Sequence, residues 1–490
     1  MHKLSKLIIC LTAPAALLIG CVSGAPKQNG GTIHVDFDAP RQTIDGFGGS
    51  NAWLTLPADP AGAEVVKLLY SKTEGIGLTI LRNRIPFREH HKNEDGTEHD
   101  DAFINRNSND TYIFSETGGV KTFDLNWDNW DLQNTKTLIA RIKALDGAPE
   151  KLVMFSAPWT APNNSAMRWK PDVKNWDTPD VGGHLDTARY ADYGDLLADY
   201  VNGFEAALGI PLDVLSVQNE PNWEPNYEST KWNGEQLRDF IKVLGKRLAL
   251  KNAVVQVMAP EDENLKEDMV KPILADSEAA EILSIVGLHQ YEGAYDESGK
   301  AGAEPMPTVW ESGKRLWQTE VSGIGPKMPR GDGIENALFY GRMIHYDMTL
   351  AETNAYLFWW LWENGKKTSL GSLIQINNEG VVNDTTRMYV LGQYSRFIRP
   401  GWARVTSDTE PLPDVFASAY RSPESTEAAL VLVNDTDTEV NLKLDFGGKK
   451  FSAYDFYRTS ETEKLQKIKT AKSAGSVSLA PRSVTTIYGH

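Results

Sequence analysis

Residues 212–223 read LDVLSVQNEPNW, an apolar run that breaks off abruptly at the polar pair Asn219 and Glu220. Val214, Leu215 and Val217 suit a strand covered on both faces, as in a parallel sheet, and Pro221 ends the ladder by removing an amide donor. Glu220 therefore falls at the C-terminal end of a strand. A second stretch, 315–323 (RLWQTEVSG), carries Glu320 in the equivalent place, 100 positions further on. This pairing restricts the fold sharply. Parallel strands need long crossover connections, and in a closed barrel of eight such units the C-terminal strand ends are where catalytic groups collect.

The rest of the chain supplies the other units. Strands are expected at the glycine-rich stretch 43–53 (TIDGFGGSNAW), at 78–86, at 151–158, at 254–260, at 285–291 and at 355–362, which with the two above makes eight. Gly46, Gly48 and Gly49 are expected to let the backbone bend at a strand end. They do not form a dinucleotide fingerprint, because the G-x-G-x-x-G spacing is missing and no helix opens there. Between the strands, segments such as 132–145 and 235–250 place apolar residues at helical spacing. Strand then helix, repeated, implies an α/β fold: a (β/α)₈ TIM barrel over 46–399.

The polar segment 87–131 breaks the rhythm and reads as an extended loop on the active-site side, with Trp127 and Trp130 as candidates for stacking on sugars. Beyond residue 400 the pattern changes to short alternating strands with turns at Asn434-Asp435 and Gly447-Gly448, which suggests an attached β-sandwich over 400–490. The tether and strand at 21–45 are expected to join it.

Residues 1–20 read as a leader. Lys3 and Lys6 precede an apolar run too short to span a bilayer, and the run ends in Leu18-Ile19-Gly20-Cys21, the form of a bacterial lipobox. Cys21 is then the expected lipidation site, which would anchor the protein to a membrane, the outer membrane by resemblance since no aspartate follows; the alternative is an ordinary secretory leader. With Cys10 and Cys21 as the only cysteines, no disulfide can form within a chain that starts at Cys21. The formal charge of −16 argues against a nucleic-acid partner and against a polyanionic substrate. The 14 tryptophans and 17 tyrosines offer faces on which sugar rings stack, although most are expected in the core. The nine histidines show no H-E-x-x-H pattern, His90-His91 reads as a solvated loop, and neither metal nor cofactor is implied.

Two carboxyls on strand ends four and seven of one barrel face each other across its mouth. That is the requirement for cleaving a glycosidic bond: one group protonates the leaving oxygen and the other acts as nucleophile or as base for water. Glu220 would donate the proton. Glu320 would be the nucleophile, kept ionised by hydrogen-bond donors. The alternative for either is a surface glutamate or a satisfied buried ion pair.

The motifs IDGFGGSNAW from Ile44, SAPWTAP from Ser156, SVQNEP from Ser216, MAPE from Met258, GLHQY from Gly287, LWQTE from Leu316, FWWLW from Phe358 and RFIRPGW from Arg396 cover nearly the whole chain in order. In these the chain resembles glycoside hydrolase family 30, of clan A, and its xylanase branch most. The resemblance implies a retaining mechanism with Glu220 as acid/base and Glu320 as nucleophile, Asn219 holding the sugar 2-hydroxyl and Tyr291 hydrogen-bonding the nucleophile. It implies that Trp53, Trp159 and Trp360 line sugar subsites and that Arg82 and His289 lie near the catalytic pair; for His289 a structural role and a substrate contact are equally compatible. One departure stands out: where the glucuronoxylan-specific branch places arginines after the strand-eight tryptophans, this chain has Glu363 and Asn364. A carboxylate there repels a uronic acid, so glucuronate dependence is not expected unless Lys366, Lys367 or Arg84 supplies the cation.

Three functions follow from these readings: a monomeric hydrolase of β-1,4-xylan, a hydrolase of another β-glycan such as β-1,6-galactan or β-1,6-glucan, or a non-catalytic surface glycan-binding protein. Retention of both glutamates with Asn219 speaks against the last, since binding alone needs neither an acid nor a nucleophile.

Overall fold

The structure, a computed structural model, describes residues 27–87, 112–163, 168–176, 178–291, 300, 303–323, 328–365 and 370–490. The leader, Cys21, His90, His91, Lys366 and Lys367 lie outside the described residues, as does most of the first half of the 87–131 segment.

Eight parallel strands close a barrel: Gly46–Ser50, Ile80–Ile85, Val153–Pro158, Val214–Ser216, Gln256–Asp262, Leu283–His289, Arg315–Glu320 and Ala355–Asn364, numbered one to eight below. Strand seven pairs with strand eight and strand eight with strand one, which closes the ring. Inward-pointing Ile80, Phe155, Val214, Met258, Ile285, Trp317, Ala355 and Leu357 fill the interior, so the barrel is a packed core with chemistry only at its rim. Of the connecting helices, Trp130–Lys143 and Gly234–Leu250 are capped by Asn129 and Asn233, and the second carries a full capping box with Gln236.

Gly46, at φ 143°, has the backbone freedom expected of it, while Gly48 and Gly49 serve a different purpose. A Cβ on Gly48 would sit 2.3 Å from the Ile80 carbonyl oxygen, and one on Gly49 2.7 Å from the Leu361 side chain. They allow strand one to lie close against its neighbours.

The 87–131 segment is likewise not an extended loop throughout. Tyr112–Thr117 and Val120–Leu125 form an antiparallel hairpin on the outside of the barrel, against the helix Tyr190–Leu208. Its edge amides are satisfied there: Lys121 N donates to Asp195 Oδ2 and Phe123 N to Asp199 Oδ2, each at 2.7 Å. Trp127 stacks on Tyr200 with ring centroids 5.4 Å apart, over Gly203, where the missing side chain leaves it room. It is part of the barrel wall, and Trp130, half-buried, opens the next helix.

The side domain is one nine-stranded sheet that curls around its own core of Ile33, Val35, Val405, Leu430, Leu432, Leu442 and Ile487. The long N-terminal strand, Lys27–Thr43, holds the two halves together: it pairs parallel with Glu439–Asp445 through His34 and antiparallel with Ala403–Ser407 from Val35 on. The strand Ala428–Asn434 is buried on both faces. Leu430 and Leu432 enter the sheet's own core, while Ala429, Val431 and Val433 join the cluster that runs through the barrel helices. No helix among the described residues is long and apolar enough to cross a membrane.

Candidate active site

Strand four ends at Ser216, and Val217 to Glu220 form the turn beyond it. Three backbone bonds fix that turn: Val217 N to Met258 O at 3.1 Å, Asn219 N to Pro158 O at 2.8 Å, and Glu220 N to Glu261 O at 3.0 Å. Glu220 is held at φ 44°, in the left-handed region that costs a residue with a Cβ about 1–3 kcal/mol. Trp53 and Glu261, at the tips of strands one and five, are held at φ 57°. All three belong to the same rim.

At its centre is Arg82, on strand two, with no exposed surface. Its Nη1 contacts Glu320 Oε2, its Nη2 donates to Asn219 Oδ1 at 2.5 Å, and the same nitrogen lies 3.1 Å from Glu261 Oε1. The guanidinium lies 4.8 Å from the Trp159 ring centre, 5.4 Å from Phe155 and 5.6 Å from Trp359. A single cation thus joins strands two, four, five and seven.

His289 lies within reach of three carboxylates: Nδ1 is 3.2 Å from Glu220 Oε1, and Nε2 is 3.5 Å from Glu261 Oε1 and 3.8 Å from Glu320 Oε2. Burial disfavours the imidazolium, but Glu320, Glu220 and Glu261 outweigh it, and the ring is pushed up to about 10. His289 is therefore a cation of the site. Burial lifts Glu320 above the usual carboxylate range, opposed by His289, by Arg82 and by the Tyr291 hydroxyl, which donates to Glu320 Oε1 at 2.6 Å. For Glu261 the order is the same but the balance differs: burial raises it, and Arg82 and His289 bring it below the ordinary value.

Glu220, His289 and Glu320 each present an atom within 4.8 Å of the other two. A metal ion could bridge such a spacing. The positive charge these carboxylates require is already supplied by Arg82 and His289, so the donor set is not one left waiting for a cation.

The protonation of His289 has a measurable sign. Because the folded value lies above the unfolded one of about 6.5, the stabilisation is complete below pH 6.5 and is lost as pH rises from there to about 10. Lys170, fully buried and held down to about 7 by desolvation, works in the opposite direction over the alkaline range. The difference between wild type and His289→Asn isolates the histidine. Thermal melts from pH 6.5 to 10 should show that difference narrowing with pH, and a constant difference would contradict a charged His289.

Glu220, Glu320, Asn219, Arg82, His289, Tyr291, Trp53, Trp159 and Trp360 lie together at this rim, with different exposure. Trp159 is 2 % exposed and backs Arg82, leaving little surface for stacking. Trp53 is 8 % exposed, with centroids 4.9 Å from Trp159 and 6.1 Å from Trp359. Trp360 is half-buried, stacked on Trp359 at 5.3 Å, and donates its indole N–H to Ala52 O at 3.0 Å. Trp359 is the residue that sequence reasoning missed. Ala355 and Leu357 point into the barrel, and a bulge between Phe358 and Trp360 lets Trp359 pack against Trp53 and Trp159 while Trp360 stacks on it. Glu261 and Tyr227 were also missed. Tyr227 feels the charges of Glu220 and Glu320, and burial with those charges holds its proton more tightly than usual.

Arg84, considered above as a uronate clamp, is buried and committed: Nε donates to Asp131 Oδ2 at 2.8 Å and Nη1 to Glu228 Oε2 at 3.0 Å.

Comparison with known proteins agrees with this geometry. The family model for the glycosyl hydrolase family 30 TIM-barrel domain matches residues 95–306, a span that includes Glu220 and stops before Glu320. Glucuronoxylanase XynC of Bacillus subtilis is 26 % identical over 465 residues, 94 % of this chain and 91 % of the relative. Among solved structures, the family 30 subfamily 8 xylanase Xyn30A from Clostridium acetobutylicum is similar with a TM-score of 0.69 and 26 % identity, over 93 % of this chain and 99 % of that one. An endo-β-1,6-glucanase shares the fold with a TM-score of 0.67 at 19 % identity, over 94 % of each chain. A closed eight-stranded barrel, a curled side sheet and a match along almost the whole described chain make the protein similar to the enzymes of glycoside hydrolase family 30.

Proposed function

We propose that the protein hydrolyses β-1,4-xylan with retention of anomeric configuration, Glu220 serving as acid/base and Glu320 as nucleophile. The observation that carries the mechanism is the spacing: carboxylate oxygens of the two residues lie within 4.8 Å. Retaining hydrolases hold their carboxyls about 5–5.5 Å apart, whereas inverting ones leave about 6.5–9.5 Å for a water. The partners support the division of roles. Arg82 and Tyr291 both donate to Glu320 and favour an anion there, while Glu220 has neither.

In the first step Glu220 gives its proton to the glycosidic oxygen as a Glu320 oxygen attacks the anomeric carbon. In the second, Glu220 takes a proton from the water that displaces Glu320. Asn219 Oδ1 is tied to Arg82, so its amide nitrogen is the end offered to the sugar 2-hydroxyl. The choice of xylan rests on the xylanases among the relatives. The test is to incubate the protein with a panel of β-glycans, sizing the products and following the first of them by proton NMR. The β anomer should appear first on xylan; an α anomer first would remove Glu320 as nucleophile, and turnover confined to β-1,6-glucan or β-1,6-galactan would change the substrate.

The same reading predicts indifference to glucuronate, although the Bacillus relative is named for it. Glu363 is half-buried on strand eight, and Arg84 is already neutralised by Asp131 and Glu228. A desolvated bidentate contact would be worth a few kcal/mol, but weak peripheral contacts supply about 1.4 kcal/mol, or tenfold in rate. Initial rates on glucuronoxylan before and after enzymatic removal of the uronic acid should therefore agree within about tenfold. A collapse after removal would reveal a clamp elsewhere.

A further inference from the structure

Large aromatic side chains with a third or more of their surface in water are few among the described residues: Trp176 at 46 %, Trp223 at 47 %, Tyr227 at 40 % and Trp310 at 39 %. Trp310 belongs to the short helix Pro307–Ser312, with its indole N–H bonded to Ala351 O at 3.0 Å. The other three fall on two loops, the one after strand three and the one after strand four. Isolated exposed aromatics need no explanation, but three gathered at one edge of a catalytic rim do.

The two loops form a single built surface. Ser229 N donates to Asp180 O at 2.9 Å, Lys231 N to Gly183 O at 2.8 Å and Gly182 N to Ser229 Oγ at 2.9 Å. Lys174 pairs with Glu224 across them. Beneath, the buried Lys170 Nζ lies 2.8 Å from Thr160 Oγ1 and 3.0 Å from the carbonyl oxygens of Gly182 and Ser229, tying both loops together. A surface so tied presents its aromatics at small entropic cost on binding.

Its position specifies the occupant. Trp223 N donates to Glu220 O at 3.0 Å, so Trp223 sits on the same turn as the acid/base, and Tyr227 lies near enough to feel the charge of the Glu220 carboxyl. The group next to a proton donor in glycoside cleavage is the leaving sugar, since it carries the oxygen being protonated. We propose that Trp223 and Tyr227, extended by Trp176, form the platform for the leaving-group side of a β-glycan chain, so that the scissile bond lies inside the chain. Arg168 lies 4.9 Å over the Trp176 ring and fixes the outer end of the surface. The proposal rests on the glycosidase reading of Glu220 but not on which glycan is cleaved.

The test compares two substrates that share the part bound on the nucleophile side. One is an unbranched β-1,4-xylohexaose; the other is an aryl β-xylobioside, whose leaving group is not a sugar. For Trp223→Ala and for Trp176→Ala, the ratio of kcat/KM on the hexaose to that on the aryl glycoside should fall about tenfold for the first and less for the second. Cleavage of the hexaose by Trp223→Ala should also shift toward the reducing end, where fewer leaving-side contacts are used. An unchanged ratio with an unchanged product pattern, or an equal loss on both substrates, overturns the platform. If the wild type prefers another β-glycan series, the xylan reading fails and the same ratio, taken on that series, still decides the inference.

Discussion

Glu320→Ala is expected to lower kcat/KM by about 10⁴-fold or more on every substrate, because no covalent intermediate can form without the carboxylate. Glu220→Ala is expected to behave differently. On a glycan it should lose about 10²–10⁴-fold, the range of general acid catalysis, but on an aryl glycoside with a good leaving group the first step needs no proton and should be largely spared. Azide separates the two further. In the Glu220 variant it replaces the water that the missing base would activate, attacks the covalent intermediate and gives a β-glycosyl azide. In the Glu320 variant it occupies the vacated space, displaces the leaving group directly and gives the α product. An α-azide from the Glu220 variant would mean that the two roles are reversed.

The second large effect is on stability and centres on Arg82. Its guanidinium is buried among Glu261, Glu320 and Asn219, so removing it strands two buried carboxylates. Breaking a buried ion pair from one side costs about 3–5 kcal/mol, more than the pair itself contributes, because the remaining charge keeps its desolvation penalty. Arg82→Met should therefore lose about 3–5 kcal/mol in chemical denaturation. Activity should vanish with it, since Glu320 and Asn219 lose their common anchor. Arg82→Lys keeps a charge but cannot reach Glu320 and Asn219 at once, so it should recover part of the stability and little of the activity. A loss below about 1 kcal/mol for the methionine variant would show that the carboxylates protonate or rearrange at no cost.

Much of this architecture was legible because it follows from local patterns. Each barrel strand is a short apolar run ending in polar residues, and the helices announce themselves by the spacing of their apolar residues. The pair proposed as catalytic stood out because Glu220 and Glu320 each stand just past such a run. What stayed hidden depends on contacts between distant segments. The 112–125 hairpin has apolar residues on both sides of Gly118-Gly119, but its place outside the barrel depends on Asp195 and Asp199 of the helix Tyr190–Leu208. Gly48 and Gly49 looked like a bend, and the neighbours that demand them, Ile80 and Leu361, are far along the chain. Trp359 and Trp360 differ by one position, and the bulge between Phe358 and Trp360 that brings both against the interior cluster has no mark in the sequence. Glu261 gave no signal by itself, because its importance lies in sharing Arg82 and His289 with the catalytic pair.

The two-faced strand Ala428–Asn434 bears on how such a protein can be recombined. Its outer residues Val431 and Val433 share a core with the barrel helices, and the contact is locked by polar ties: Gln393 Nε2 donates to Thr459 Oγ1 at 2.9 Å, Thr486 Oγ1 to Gln393 O at 2.7 Å, and Asp435 pairs with Arg342 on the barrel side. The chain also runs from the side sheet's first strand into barrel strand one with two residues between. The C-terminal sheet is therefore no detachable cassette of the kind that linkers append to enzymes. Exchanging it between homologues means exchanging the facing helix surfaces as well, and a gene fragment ending near residue 400 would encode a barrel with an apolar flank open to solvent.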